Sequence, residues 1–108
     1  MTNADYVYSK FVSPVLSTIL CSKSGFSRRE RVAVILRYAF GIREKQIPPQ
    51  ARQDWRSIKA VNSSTIPQHL LCMNISEARA HALSSTQSLR VLSSFWNVVN
   101  SVVQELAE

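Results

Sequence analysis

The stretch TQSLRVLSSFWNVVNSVVQELA, residues 86–107, decides the fold. Leu92, Trp96, Val99, Val103 and Leu106 follow one another at steps of four, three, four and three, and Val91, Phe95, Val98 and Val102 keep the same rhythm one position earlier. Two adjacent apolar seams make one broad face. A helix with that much to bury runs through the centre of a bundle or holds one seam out to a partner chain. In the second case the interface falls on Phe95, Trp96, Val99, Val102 and Val103.

Outward from this segment the spacing stays helical. Tyr8, Phe11, Val12, Val15, Leu16, Ile19 and Leu20 mark one face of a helix over 4–22. Ser13-Pro14 within it also reads as a cap and first-turn pair, so that two short helices meeting at an angle are the alternative. Lys23-Ser24-Gly25 is turn chemistry, and Ser27-Arg28-Arg29-Glu30 fits a capping box, so the next helix starts at Arg28. It carries Val32, Ile35, Leu36, Ala39 and Phe40 inward and ends at Gly41, which is expected to take the left-handed conformation. Ile47-Pro48-Pro49 breaks the chain again. Ala51, Trp55, Ile58 and Asn62 then share a face of a helix over 49–61, Pro67 opens a short helix to Met73, and Asn74 with Glu77 caps another to Leu83 or Ser84. The expectation is an all-α protein: one helical domain over 1–108, a small bundle of about five helices with the long C-terminal helix central or at an oligomer interface.

At 108 residues, 45% hydrophobic and 19% charged, the chain has the composition of one globular domain. The apolar run from Phe11 to Cys21 is shorter than the roughly 20 residues that span a bilayer, and Asp5-Tyr6 stands where a secretory signal is cationic. A cytoplasmic protein without membrane contact is expected. Cys21 and Cys72 fall in apolar helical patterns and read as buried reduced thiols.

The charge is uneven. Residues 23–59 hold ten basic and three acidic side chains, a net of +7, whereas the rest of the chain sums to −1. Arginine outnumbers lysine seven to three in that window, which suits bidentate contacts to phosphate or guanine. Nucleic acid, DNA or RNA, is the polyanionic partner this implies, with an acidic protein or a second copy of the chain as the alternative. The residues expected at the phosphates are Arg28, Arg29, Arg31, Arg43, Lys45, Arg52, Arg56 and Lys59. Arg52, Arg56 and Lys59 lie on one stripe beside the Trp55 face, where their stems equally well cover the edge of the core. Arg28, Arg29 and Arg31 crowd a helix N-terminus, a position that favours an anion. Trp55 reads as core ahead of a base-stacking platform.

The run Ser27-Arg28-Arg29-Glu30-Arg31, Ile35-Leu36-Arg37-Tyr38, Gly41 and Ile47 resembles the opening of the helix-turn-helix of sigma-factor region 4 and related response-regulator domains, over about a fifth of the chain. The resemblance implies DNA binding. Pro48-Pro49 and Pro67 depart from that pattern, and no base-contacting residue is carried over from it.

Catalysis has little support. His69, Cys72 and His81, with Cys21 as a fourth, match no standard zinc spacing, and no oxyanion loop or glycine-rich phosphate loop is present. Glu30, Glu44 and Asp54 stand singly among arginines, as caps and ion-pair partners. The expectation is a non-enzymatic protein with no metal, cofactor or small-molecule substrate. It acts as a regulatory or packaging factor on nucleic acid, or as an adaptor or assembly subunit working through its last helix.

Overall fold

The computed structural model describes residues 2–21 and 25–108 and is all-α. Its elements are α1 (Asn3–Val7), a π-helical stretch (Tyr8–Val12), α2 (Ser13–Leu20), α3 (Arg28–Ala39), α4 (Arg52–Asn62), α5 (Ile75–Ala82) and α6 (Ser85–Ala107), with single 3₁₀ turns at Glu44–Gln46, Pro49–Ala51 and Gln68–Leu70. The segment from Pro67 to Met73, expected as a short helix, holds only the last of these turns.

The first three elements form one continuous rod, which settles the two readings of Pro14. Val7, Val12 and Ser13 all keep right-handed helical dihedrals, so no cap interrupts the chain. Proline cannot donate to the carbonyl four residues back and collides with it. The chain accommodates Pro14 by widening the turn before it, and the Ser13 N–H reaches five residues back to the Tyr8 carbonyl.

Helix α3 begins where Ser27 directs it. The Ser27 hydroxyl accepts from the Glu30 N–H at 3.2 Å, and the Glu30 carboxylate accepts from the Ser27 N–H at 3.1 Å. At the other end the expected left-handed Gly41 is absent. The helix closes through Phe40 in right-handed geometry, the Ile42 N–H donating to the Ala39 carbonyl at 3.2 Å. Gly25 is the glycine with a positive φ, +74°, two residues before Ser27; the turn expected at Lys23-Ser24 lies outside the described residues. The last helix repeats the capping box with Ser84 and Gln87, and Asn74 caps α5 by accepting from the Glu77 N–H at 2.9 Å.

Helix α3 packs against α2, α4, α5 and α6, while α6 packs against α1, α3 and α4. Their shared core includes Val32, Ile35 and Leu36 of α3, Trp55 and Ile58 of α4, and Val91, Phe95, Val98 and Val102 of α6. The aromatic rings form a chain through it. Phe11 meets Trp55 edge-on at 5.5 Å and Phe95 at 5.4 Å, and Phe95 in turn meets Trp96 at 5.8 Å. Asn62, in line with Trp55 and Ile58, is also buried and donates from Nδ2 to the Leu36 carbonyl at 3.0 Å, tying the end of α4 to α3.

Two expectations are corrected here. Cys21 and Cys72 are exposed free thiols. Cys21 follows the last turn of α2, beyond exposed Leu20, and Leu70-Leu71-Cys72 is a consecutive run that cannot all face one side of a helix. The helix-turn-helix resemblance also stops at the sequence. Residues 40–51 join α3 to α4 through two 3₁₀ turns, where that motif needs a turn of about three or four residues.

The capping carboxylates make acid stability a direct readout of these termini. Hydrogen bonds from the Ser27 backbone and hydroxyl hold the Glu30 carboxyl below its ordinary value, Thr2 does the same for Asp5, and the Arg56 guanidinium does so for Glu44. A carboxyl that titrates lower in the folded state stabilises the fold above its unfolded value. That stability is lost as the pH falls through the folded value. Below the ordinary glutamate value of 4.5 the melting temperature should therefore fall, and less steeply in Glu30→Gln, whose amide still accepts from Ser27 but carries no proton equilibrium. Equal acid slopes for the two proteins in scanning calorimetry would refute this assignment.

Candidate functional site

The basic residues separate into two groups. Arg28, Arg29 and Arg31 stand at the N-terminal end of α3, and Arg43 and Lys45 lie just past its C-terminal end. A 12-residue helix places about 18 Å between its ends, so these two groups stand apart along α3, with exposed Arg37 on the helix between them. Lys23, the first basic residue of that window, lies outside the described residues.

At the second pole Arg52 and Arg56 of α4 reach back to the segment 44–47. Arg56 donates to both carboxylate oxygens of Glu44, Nε at 2.7 Å and Nη2 at 3.0 Å. Arg52 donates from Nε to the Ile47 carbonyl at 3.1 Å and from Nη2 to the Lys45 carbonyl at 3.4 Å. These bonds staple the 3₁₀ turn at Glu44–Gln46 to α4 and hold Arg43 and Lys45 outward. Lys59 sits one turn further along, its ammonium 5.6 Å from the centre of the Trp55 ring. The stripe of Arg52, Arg56 and Lys59 is thus engaged within the chain: Arg56 is paired with a carboxylate and Arg52 with two backbone carbonyls. Trp55 is 1% exposed and has no face open to a base.

At the first pole Arg31 donates from Nε to the Phe26 carbonyl at 3.2 Å, and Arg28 and Arg29 are exposed. Glu30 supplies negative charge at the helix terminus, which offsets the crowding of three arginines there. Two adjoining depressions share Arg29, Glu30 and His81, one of about 450 Å³ between α3 and α5 and one of about 650 Å³ between the start of α3 and the α5–α6 junction. Arg28 lines one and Arg37 the other. Sequence spacing gives no sign that His81 belongs with this pole, because only the packing of α5 along α3 brings it there.

The interface residues named on α6 also divide. Phe95 and Val102 are 2% and 0% exposed and Val99 is buried, so these three belong to the core of the chain. Trp96 and Val103 remain about half exposed, together with Leu89 and, to a lesser degree, Leu106. They are the outward seam of the pair.

Among the described residues no three His, Cys, Asp or Glu side chains lie close enough to hold a metal ion, and no helix is long and apolar enough to cross a membrane. The chain matches no protein-family model, no curated protein and no solved structure.

Proposed function

We propose that this is a small non-enzymatic protein that binds the phosphate backbone of a nucleic acid through the two ends of α3, in a regulatory or packaging role. The observation that carries the reading is the division of the basic side chains into those that brace the fold and those left facing solvent. Arg31, Arg52, Arg56 and Lys59 are held by groups of the chain itself, although Arg31 and Arg56 are also exposed, while Arg28, Arg29, Arg43 and Lys45 are exposed without such a bond, as is Arg37 but for the Tyr38 ring beside it. Basic groups at both ends of a helix about 18 Å long suit two attachments along a charged polymer better than one small anion. Trp55 is sealed in the core and offers no stacking face, whereas Phe40 at the C-terminal end of α3, expected inward, is about half exposed beside Arg43 and Lys45; the part of the affinity carried by the basic side chains is electrostatic.

Binding should therefore weaken linearly on a logarithmic salt scale. Replacing Arg28, Arg29, Arg43 and Lys45 by Gln, one at a time, should flatten the slope by roughly one unit for each phosphate that is no longer neutralised. Arg56→Gln acts through the placement of Arg43 and Lys45 and should lower affinity with less change in slope. Fluorescence anisotropy with mixed-sequence duplex DNA and single-stranded RNA at two salt concentrations measures both. No binding to either at low salt ends this reading.

A second reading, assembly through α6, is favoured by a different observation. Leu89, Trp96 and Val103 recur at seven-residue intervals on the solvent side of the longest helix. The two readings are compatible, since a dimer doubles the number of basic poles.

A further inference from the structure

Resting on the reading of the N-terminal end of α3 as a phosphate site, we infer that the larger depression beside it seats a phosphate monoester, carried at the end of a nucleic-acid strand or on a free nucleotide. Two helices begin at this depression. Helix α3 starts at Arg28 and α6 at Ser85, and the first turns of both border the same hollow of about 650 Å³. Each brings the partial positive charge of its peptide dipoles to that place.

The residue that asks for a ligand is Ser88. It lines the depression and is 2% exposed, and its hydroxyl has no hydrogen-bond partner among the described residues. The Ser57 and Ser63 hydroxyls, by contrast, each donate to the carbonyl four residues back, at 3.3 and 3.0 Å. A buried hydroxyl left unpaired is costly, and a phosphate oxygen seated in the depression completes it.

The charges select a monoester. Exposed Arg28 and Arg29 border the depression, and His81 of α5 adds an imidazole N–H. Glu30 borders it too, but its carboxylate is drawn to the Ser27 N–H at 3.1 Å, and it stands alone against two guanidinium groups. A terminal phosphate carries close to two negative charges where a backbone diester carries one, so it gains more from this arrangement. It also reaches into a hollow, whereas an internal phosphate is tethered on both sides. A strand seated by its end has a way out along α3, through the adjoining depression that shares Arg29 and ends at Arg37.

Fluorescence anisotropy of the full chain with a short single strand phosphorylated at its 5′ end, at its 3′ end or at neither is expected to show at least about tenfold tighter binding of a phosphorylated strand. Ser88→Ala should reduce that preference severalfold and leave the unphosphorylated strand unchanged, because only a seated phosphate reaches Ser88. Arg29→Gln should weaken the phosphorylated strand more than the other, and circular dichroism checks that both variants keep their helices. Calorimetric titration with adenosine 5′-monophosphate, adenosine and inorganic phosphate at constant ionic strength separates the two sources. Equal binding of all three strands, or a preference that Ser88→Ala leaves intact, overturns this inference while the backbone reading stands. Binding of the nucleotide and of inorganic phosphate that is weakened in Ser88→Ala, with no strand bound, supports the inference with a free nucleotide as the source and ends the backbone reading. No binding of any of these probes overturns both.

Discussion

Phe11→Ala should be the most damaging single substitution in the chain, lowering stability by about 3–5 kcal/mol. Phe11 has no exposed surface and stands at the meeting point of three helical segments, its ring edge-on to Trp55 of α4 and to Phe95 of α6. Truncation removes the apolar area of a phenyl group and both edge-on ring pairs, and leaves a cavity between helices that are far apart in sequence. The surrounding positions cannot collapse into it easily, because Phe11 lies in the π-helical turn whose backbone register Pro14 imposes. Urea titration followed by far-ultraviolet circular dichroism gives the number. A loss under about 1 kcal/mol would show that the aromatic chain is not the centre of the fold. Trp96→Ala is the matching control: with half its surface already in water, it should cost much less.

Asn62→Ala should cost about 1–3 kcal/mol by a different route. The Nδ2 group of Asn62 satisfies the Leu36 carbonyl inside the bundle, at 3.0 Å, across 26 residues of sequence. Without it that carbonyl, in the last turn of α3, loses its side-chain partner in a site closed to solvent. The Oδ1 atom is buried and has no hydrogen-bond partner, so the side chain already bears one unsatisfied group. Asn62→Leu should fare no better, since it fills the volume and still abandons the carbonyl. Chemical denaturation of the two variants against the parent tests this, and a leucine variant as stable as the parent would show that the bond contributes nothing.

Helix existence was legible in the sequence because its signals are local. Ser27 and Glu30 are three residues apart, and so are Asn74 and Glu77, and each pair makes the cap its spacing promises in at least one direction. The buried seam Val91, Phe95, Val98 and Val102 was equally plain, as was Trp55 in the core. The partition of the arginines was not legible. Glu44 is 12 residues from Arg56, and no periodicity announces a pair that depends on where a proline-broken loop returns against α4. Nor does composition reveal that a charge excess contiguous in sequence spreads to both ends of α3, since that follows from the direction in which the helix carries the chain. The cysteines misled because apolar neighbours in sequence are neighbours on a helix face only at steps of three or four, and Cys72 stands beside Leu70 and Leu71 at steps of two and one.

The chain has two tryptophans, and the fold puts them in opposite surroundings, Trp55 sealed in the interior and Trp96 half in water. Each therefore reports a separate event by its own emission. The spectrum of the sealed indole shifts to the red only when the bundle opens, whereas collisional quenching by iodide reaches the outer one in the intact protein and fades when that surface is covered. Replacing either by phenylalanine leaves a single-colour probe of the interior or of the outer face of α6, so the two sites can be followed independently without attaching a dye.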